Sequence, residues 1–210
     1  AARRDAIRGA NAASKVLKRG LALTPVKFGI SFTATAFNQA GALVHVYRDG
    51  SIQLNHGGTE MGQGLYIKVA QVVAEEFRVA LDRVTITAPT TGKVPNTSAT
   101  AASSGSDLNG MAALDACEKI LAGLTEFAAQ NWSVSPETIR FSDNQVQIGE
   151  LEMPWETFVQ TAYMNRVPLS PSGFYATPKI HYDPKSGTGR PFLYYSNCAA
   201  CAEVVVDTLT

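Results

Sequence analysis

Residues 56 to 64 read His56–Gly57–Gly58–Thr59–Glu60–Met61–Gly62–Gln63–Gly64. Glycines this dense, ending where a helical pattern begins, describe a loop whose backbone can be approached closely. A second side-chain-poor stretch, Val94 to Gly105, is rich in Ala, Ser and Thr and also ends at a helix start. Two such loops feeding two helix N-termini would make a cradle for a large anionic cofactor, because helix starts present unpaired backbone N–H groups. Gln63, flanked by Gly62 and Gly64, adds an amide that can both donate and accept. A plainer reading stays open for each loop. The glycines of the first can serve turn geometry alone, and the second can be a flexible linker, although Pro95 stiffens its start. Neither is a dinucleotide fingerprint or a P-loop: the G-x-G-x-x-G spacing is absent, and Thr91–Gly92–Lys93–Val94 lacks the Gly-Lys-Ser/Thr ending.

Other reactive side chains are sparse. His45, His56 and His181 have no His or Cys partner at metal-ligand spacing. His56 reads as a structural hydrogen bonder beside the glycine loop. Cys198 and Cys201 have C-x-x-C spacing, but strand alternation sends them to opposite faces. Cys117 lies on a helix and reads as core. Three cysteines give no disulfide framework and fit a reducing, cytoplasmic setting. Glu60, Asp107 and Glu203 are the carboxylates near the loops, and they form no acid/base pair. No Ser-His-Asp set is defensible. The chain therefore reads as one that binds, with no catalytic residue and no metal ligand of its own.

The elements that must position these loops follow from patterning. Residues 1–18 read as a polar helix ended by Gly20, and 21–35 as an extended segment broken by Pro25. Ala42–Tyr47 and Ser51–Asn55 flank Asp49–Gly50, a strong hairpin signal. Residues 64–78 take helical period, with Leu65, Val69, Val72, Val73 and Phe77 near one face. A strand is expected over 82–88. A long helix capped at Ser106 or Asp107 follows. Short strands are expected near 139–141 and 145–148, then a helix over Pro154–Tyr163. Residues 167–191 read as a long irregular connection and 192–207 as β-rich. Together these predict an α+β fold with a mixed, mostly antiparallel sheet and helices packed against it.

Composition narrows the class. Of 210 residues 45% are hydrophobic and 17% charged, with 18 of each sign. That balance gives no electrostatic footprint for nucleic acid or an anionic membrane. No apolar run reaches the ~20 residues of a membrane span. Ala1–Ala2–Arg3–Arg4–Asp5 reads as an internal cut through a helix.

Several segments in order carry a likeness: Lys27 to Thr33, Asn38 to Tyr47, Asp49–Gly50–Ser51, His56 to Gly64, Val94 to Ser104, Gly173–Phe174–Tyr175, and Ala200 to Val204. Through them the chain resembles the xanthine dehydrogenase/oxidase family of molybdenum hydroxylases, most nearly the large molybdenum subunit of its bacterial members. The resemblance implies one incomplete molybdopterin-cofactor-binding domain over 1–210, part of the second such domain of the subunit. It implies pterin contacts at Met61, Gly62 and Gln63, the last through its side-chain amide, and at Ala102, Ser103, Ser104 and Gly105. Many members carry a hydroxyl where Gly105 stands. It implies that Phe32 is one of two phenylalanines sandwiching a purine, with Thr33, Ala101 and Ala102 beside the substrate. The family's GGFGGKE-type loop, its Phe-Arg-Gly-Phe-Gly loop and its Val-Gly-Glu-Pro-Pro segment, which holds the general base, have no counterpart here. The implied whole enzyme oxidises hypoxanthine or xanthine to urate with water as oxygen source. It carries FAD and [2Fe–2S] clusters on other domains or subunits, which would be this chain's partners along with the rest of the molybdenum subunit. The segment alone would be inactive. The rival expectation is a non-catalytic module that binds an anionic ligand or another protein.

Overall fold

A computed structural model describes every residue except Pro95, so the expected stiffening of the second loop's start lies outside the described residues. The chain divides into two compact units, residues 1–30 with 194–210, and residues 31–193.

In the smaller unit helix α1 (Ala2–Ala13) precedes the long strand β1 (Leu17–Ile30), which pairs antiparallel with β11 (Tyr194–Asp207) from Leu17 opposite Asp207 to Ile30 opposite Tyr194. The polar helix expected to reach residue 18 stops at Ala13. Local side chains offer the backbone a better arrangement there. The Ser14 hydroxyl accepts the Leu17 N–H at 3.0 Å, and the Asn11 amide grips both the N–H and the C=O of Arg19, at 2.6 and 2.8 Å. Pro25 is tolerated inside β1 because the ribbon has only two strands, leaving one edge without ladder bonds. Cys198 and Cys201 on β11 are free and exposed.

The larger unit is built on the expected hairpin. β2 (Gln39–Val46) and β3 (Ile52–His56) pair antiparallel, Ala42 opposite His56 and Val46 opposite Ile52. Gly50 in the turn has φ 80°, where glycine carries no Cβ penalty. The sheet order is β4–β3–β2–β8, with β4 (Val84–Ile86) parallel to β3 and β8 (Ser172–Ala176) antiparallel to β2. The α+β expectation of a mixed, mostly antiparallel sheet therefore holds. The strand expected over 82–88 shortens to β4 because a 3-10 turn occupies Leu81–Arg83.

The irregular connection expected over 167–191 is corrected: it holds β8 and a hairpin of β9 (His181–Asp183) and β10 (Thr188–Arg190). Gly173 lies in β8 because a Cβ there would overlap the Ala112 carbonyl oxygen. It marks close strand–helix approach rather than a loop. A strand that patterning did not reveal, β7 (Leu151–Pro154), completes an antiparallel sheet with β5 (Ile139–Ser142) and β6 (Gln145–Ile148).

Helices α2 (Leu65–Phe77) and α3 (Gly105–Trp132) pack together, and α3 covers β2 and β8. Val44 and Leu54 of the sheet, Val69, Val73 and Phe77 of α2, and Ala112, Ala116, Cys117 and Ile120 of α3 are fully buried in one core. Each large apolar side chain buried there contributes about 1.5–3 kcal/mol. Helix α4 (Trp155–Met164) buries Trp155 and Phe158, and the Trp155 ring N–H donates to the Gly50 carbonyl at 2.9 Å. The scaffold behind the two loops is thus fixed at both ends of the hairpin.

Candidate functional site

The first loop leaves β3 at His56 and enters α2 at Leu65. Its shape is set by Glu60. One carboxylate oxygen accepts the N–H groups of Gly62 and Gly64 at 2.8 and 3.0 Å, and the other accepts that of Tyr66 at 3.0 Å. These bonds, the one from Tyr66 foremost, hold the Glu60 carboxyl below the usual carboxylate range. The amides that sequence reasoning left open to an anion at the start of α2 are therefore occupied by the chain's own carboxylate. Gly62 and Gly64 have φ of 93° and 74°, which this tight wrap requires. Gln63 folds over the same turn: its Oε1 accepts the Met61 N–H at 2.6 Å, and its Nε2 donates to the Thr59 carbonyl at 2.9 Å. A primary amide retains one further donor and one further acceptor position beyond those two bonds.

The second loop ends differently. Ala102 and Ser103 both have positive φ, 54° and 56°. Two consecutive non-glycine residues in this region store strain that persists only where the surroundings hold it, a pattern that clusters at functional sites. Ser104, rather than the expected Ser106 or Asp107, is the N-cap of α3, and its hydroxyl turns back to the Ala101 carbonyl at 3.1 Å instead of capping the helix. The N-cap side chain of α3 thus makes no bond to the helix start, and Asp107 stands in the first turn.

The two loops clasp each other. The Thr59 N–H donates to the Thr100 hydroxyl at 2.9 Å, and a Cβ on Gly57 would overlap the Thr97 side chain. Between them opens a cavity of about 530 Å³, lined by Met61 and Gln63 from one loop and Ala101, Ala102, Ser103 and Gly105 from the other. Lys68 and Ser106 also line it, and the Lys68 ammonium donates to the Gln63 carbonyl at 3.1 Å. Gly62 faces open space and Ser104 is buried, and neither is among the residues lining this cavity.

A second cavity, of about 550 Å³, is lined by Phe32, Thr33 and Phe37 together with Thr97 and Ala99. The Phe32 and Phe37 rings meet edge to face at 5.7 Å. The four residues expected beside a substrate are therefore divided: Phe32 and Thr33 line this cavity, Ala101 and Ala102 the other, and the 97–102 segment borders both.

His56 is buried as expected of a structural residue. Its Nδ1 accepts the Gly58 N–H at 3.1 Å, its Nε2 has no partner, and its ring meets Tyr66 at 5.3 Å. Burial pushes its pKa down to about 4, so it is neutral at pH 7. Cys117 is buried in α3 and its thiol pKa is pushed well up by burial. No group of three or more His, Cys, Asp or Glu able to hold a metal ion occurs among the described residues, and none of their helices is long and apolar enough to cross a membrane.

Two contributors to the first cavity escaped sequence reasoning. Glu60 reads in the sequence only as a nearby carboxylate, and Lys68 carries no motif. Lys68 was discoverable in principle, since it stands one turn into α2 beside the glycine loop. The donor set fits an anionic, hydrogen-bonding group: one ammonium, one amide, hydroxyls at Thr100, Ser103 and Ser106, and a backbone bare of large side chains at Ala101 and Ala102.

The whole chain, residues 1–210, matches the family model described as the molybdopterin cofactor-binding domain. Xanthine dehydrogenase/oxidase of Mus musculus is 47% identical over 193 residues, which are 92% of this chain and 13% of that protein. Xanthine dehydrogenase of Dictyostelium discoideum is 46% identical over 203 residues, 95% of this chain and 14% of that protein. The chain therefore spans only a small part of these relatives. Among solved structures, quinoline 2-oxidoreductase from Pseudomonas putida 86 aligns over 98% of this chain and 27% of its own, with a TM-score of 0.76 at 18% identity. An aldehyde oxidoreductase from Desulfovibrio desulfuricans aligns over 99% of this chain and 20% of its own, with a TM-score of 0.72 at 19% identity. At such low identity these two likenesses speak for the fold.

Proposed function

This chain belongs to the molybdopterin cofactor-binding domain family, and on that premise we propose that its 210 residues serve as part of one pterin-binding domain in a larger molybdenum hydroxylase acting on a purine. The observation that carries this reading is that Gln63 and Ser103, from loops forty residues apart in sequence, line one cavity. Met61, Gly62 and Gln63 hold the pterin from one side, and Ala102, Ser103, Ser104 and Gly105 from the other. When bound, the cofactor supplies the redox chemistry. The protein supplies binding, orientation and electrostatics.

The geometry supports a role for each. Gln63 keeps a donor and an acceptor for a heterocycle edge while its other positions lock the loop. The start of α3 and the Lys68 ammonium favour the anionic end of the group. Small side chains at Ala101 and Ala102 leave room for a flat ring. Phe32 offers an aromatic wall to stack against, and Thr33 stands beside it. The chain supplies no general base. Hypoxanthine and xanthine are the proposed substrates, urate the product, and water the oxygen source. The remainder of the molybdenum subunit and the domains or subunits holding FAD and [2Fe–2S] clusters are the proposed partners.

The test uses the full-length protein that contains this chain. Molybdenum is measured by elemental analysis, pterin by fluorescence after oxidation, and urate formation from xanthine by absorbance. Near-stoichiometric pterin and molybdenum with purine turnover is the expected result. A whole protein that carries neither group would sink the reading and favour a non-catalytic anion-binding module.

A further inference from the structure

We propose that Asn38 is a positioning residue that holds Phe32 rigid as a wall for a flat heterocyclic substrate, an inference that rests on the substrate-wall reading of Phe32. Phe32 belongs to no regular element. It lies in the connection between β1 and β2, which holds only a single 3-10 turn, Thr35–Phe37. The Phe37 ring that it meets edge to face is itself 55% exposed. Ring contacts alone would leave the wall free to swing.

The main chain is where it is held. The Asn38 Oδ1 accepts the Phe32 N–H at 2.8 Å, and its Nδ2 donates to the Phe32 carbonyl at 2.9 Å and to the Thr35 carbonyl at 3.3 Å. One primary amide thus satisfies both backbone groups of Phe32, as a neighbouring strand would. Asn38 is anchored in turn. Its N–H donates to the Thr35 carbonyl at 3.0 Å, and its carbonyl accepts the Thr177 N–H at 2.9 Å, just past β8. Asn38 is 2% exposed, so a partner lost there is not replaced by water. Ser31, immediately before the ring, has φ 145°, a strained conformation that its surroundings must enforce.

The chemistry is specific to asparagine. Aspartate keeps the acceptor for the Phe32 N–H but sets a carboxylate against two carbonyls. Serine is too short to bridge both groups. A fixed wall lowers the ordering cost of substrate binding, so its loss should appear in KM before kcat.

The experiment uses the full-length, cofactor-loaded enzyme and measures purine KM, kcat, and molybdenum and pterin content for Asn38→Asp, Phe32→Leu and the double variant. Asn38→Asp is expected to raise KM five- to tenfold with kcat within about twofold and cofactor content unchanged. The double variant should be no worse than the poorer single one, since both act through the same ring. Should Asn38→Asp lower the yield of folded enzyme, Asn38→Ser is put through the same comparison. If Phe32→Leu raises KM while Asn38→Asp and Asn38→Ser do not, or if a rise in KM comes only with a matching fall in kcat and cofactor content, the positioning role is overturned. If Phe32→Leu itself leaves KM unchanged, the substrate-wall reading fails instead.

Discussion

The backbone N–H of Thr59 donates to the hydroxyl of Thr100 at 2.9 Å, tying the loop that follows β3 to the loop that precedes α3. Forty-one residues separate the two in sequence. The cavity between the loops depends on this tie, because one wall comes from each. Replacing Thr100 with Val keeps the shape and removes the acceptor, a change worth about 1 kcal/mol. In the full-length protein, hydrogen exchange over 56–64 should quicken several-fold while exchange in α3 beyond its first turn stays the same. Equal exchange in both proteins would show that the loops hold their places independently.

Glu60 organises the first loop from within. Its carboxylate accepts three backbone N–H groups, and those bonds keep its pKa below the usual range. A carboxyl whose folded pKa is depressed adds stability that is whole above its unfolded pKa and is lost as pH falls through the lower, folded value. Wild-type exchange protection over 61–66 should therefore persist at pH 5 and fade only below the ordinary carboxylate range. Glu60→Gln, which carries one acceptor oxygen instead of two, should lose that protection already at pH 7.

His56 adds a second pH dependence of the same sign, through burial rather than hydrogen bonding. It is neutral when folded, with its pKa pushed down to about 4 by burial. Below its unfolded pKa near 6.5 the unfolded chain takes up a proton that the folded one does not, so stability falls as pH drops from about 6.5 to about 4. The loss is on the order of 3 kcal/mol across that window. Hydrogen exchange of the 56–64 peptide, corrected for its intrinsic rate, should accelerate over this window in the wild type. A His56→Gln variant, which cannot take up the proton, should show no step there.

What the sequence made legible was whatever rests on local rules. Asp49–Gly50 between alternating strands announced the hairpin, and the spacing of Leu65, Val69, Val73 and Phe77 announced α2. β8 stayed hidden because Gly173 and its Pro and Ser neighbours look like a turn, whereas the glycine is there to admit the backbone of α3. The pairing of Gln63 with Ser103 in one cavity was anticipated from two loops pointing at helix starts. The closing of one of those starts by Glu60 was not, because a carboxylate's partners depend on how the loop wraps. Asn38 was invisible for a related reason: it binds main-chain groups, which leave no mark in residue type. The division of Phe32 and Thr33 from Ala101 and Ala102 between two cavities is likewise a matter of three-dimensional path, which patterning does not record.

Lys68 offers the sharpest test of the cavity's charge. It contributes an ammonium to the wall that carries Gln63, and it donates to the Gln63 carbonyl at 3.1 Å. Two roles are separable, since the ammonium can serve the loop through that hydrogen bond or the anionic ligand through its charge. Lys68→Gln retains a donor and removes the charge, while Lys68→Arg retains both. If charge is what matters, full-length Lys68→Gln should lose pterin several-fold faster than wild type on dilution, a difference that shrinks as salt rises from 50 to 500 mM because screening weakens the wild-type attraction. Lys68→Arg should stay close to wild type. If both variants release pterin at the wild-type rate at every salt concentration, the Lys68 charge plays no part in holding the proposed cofactor.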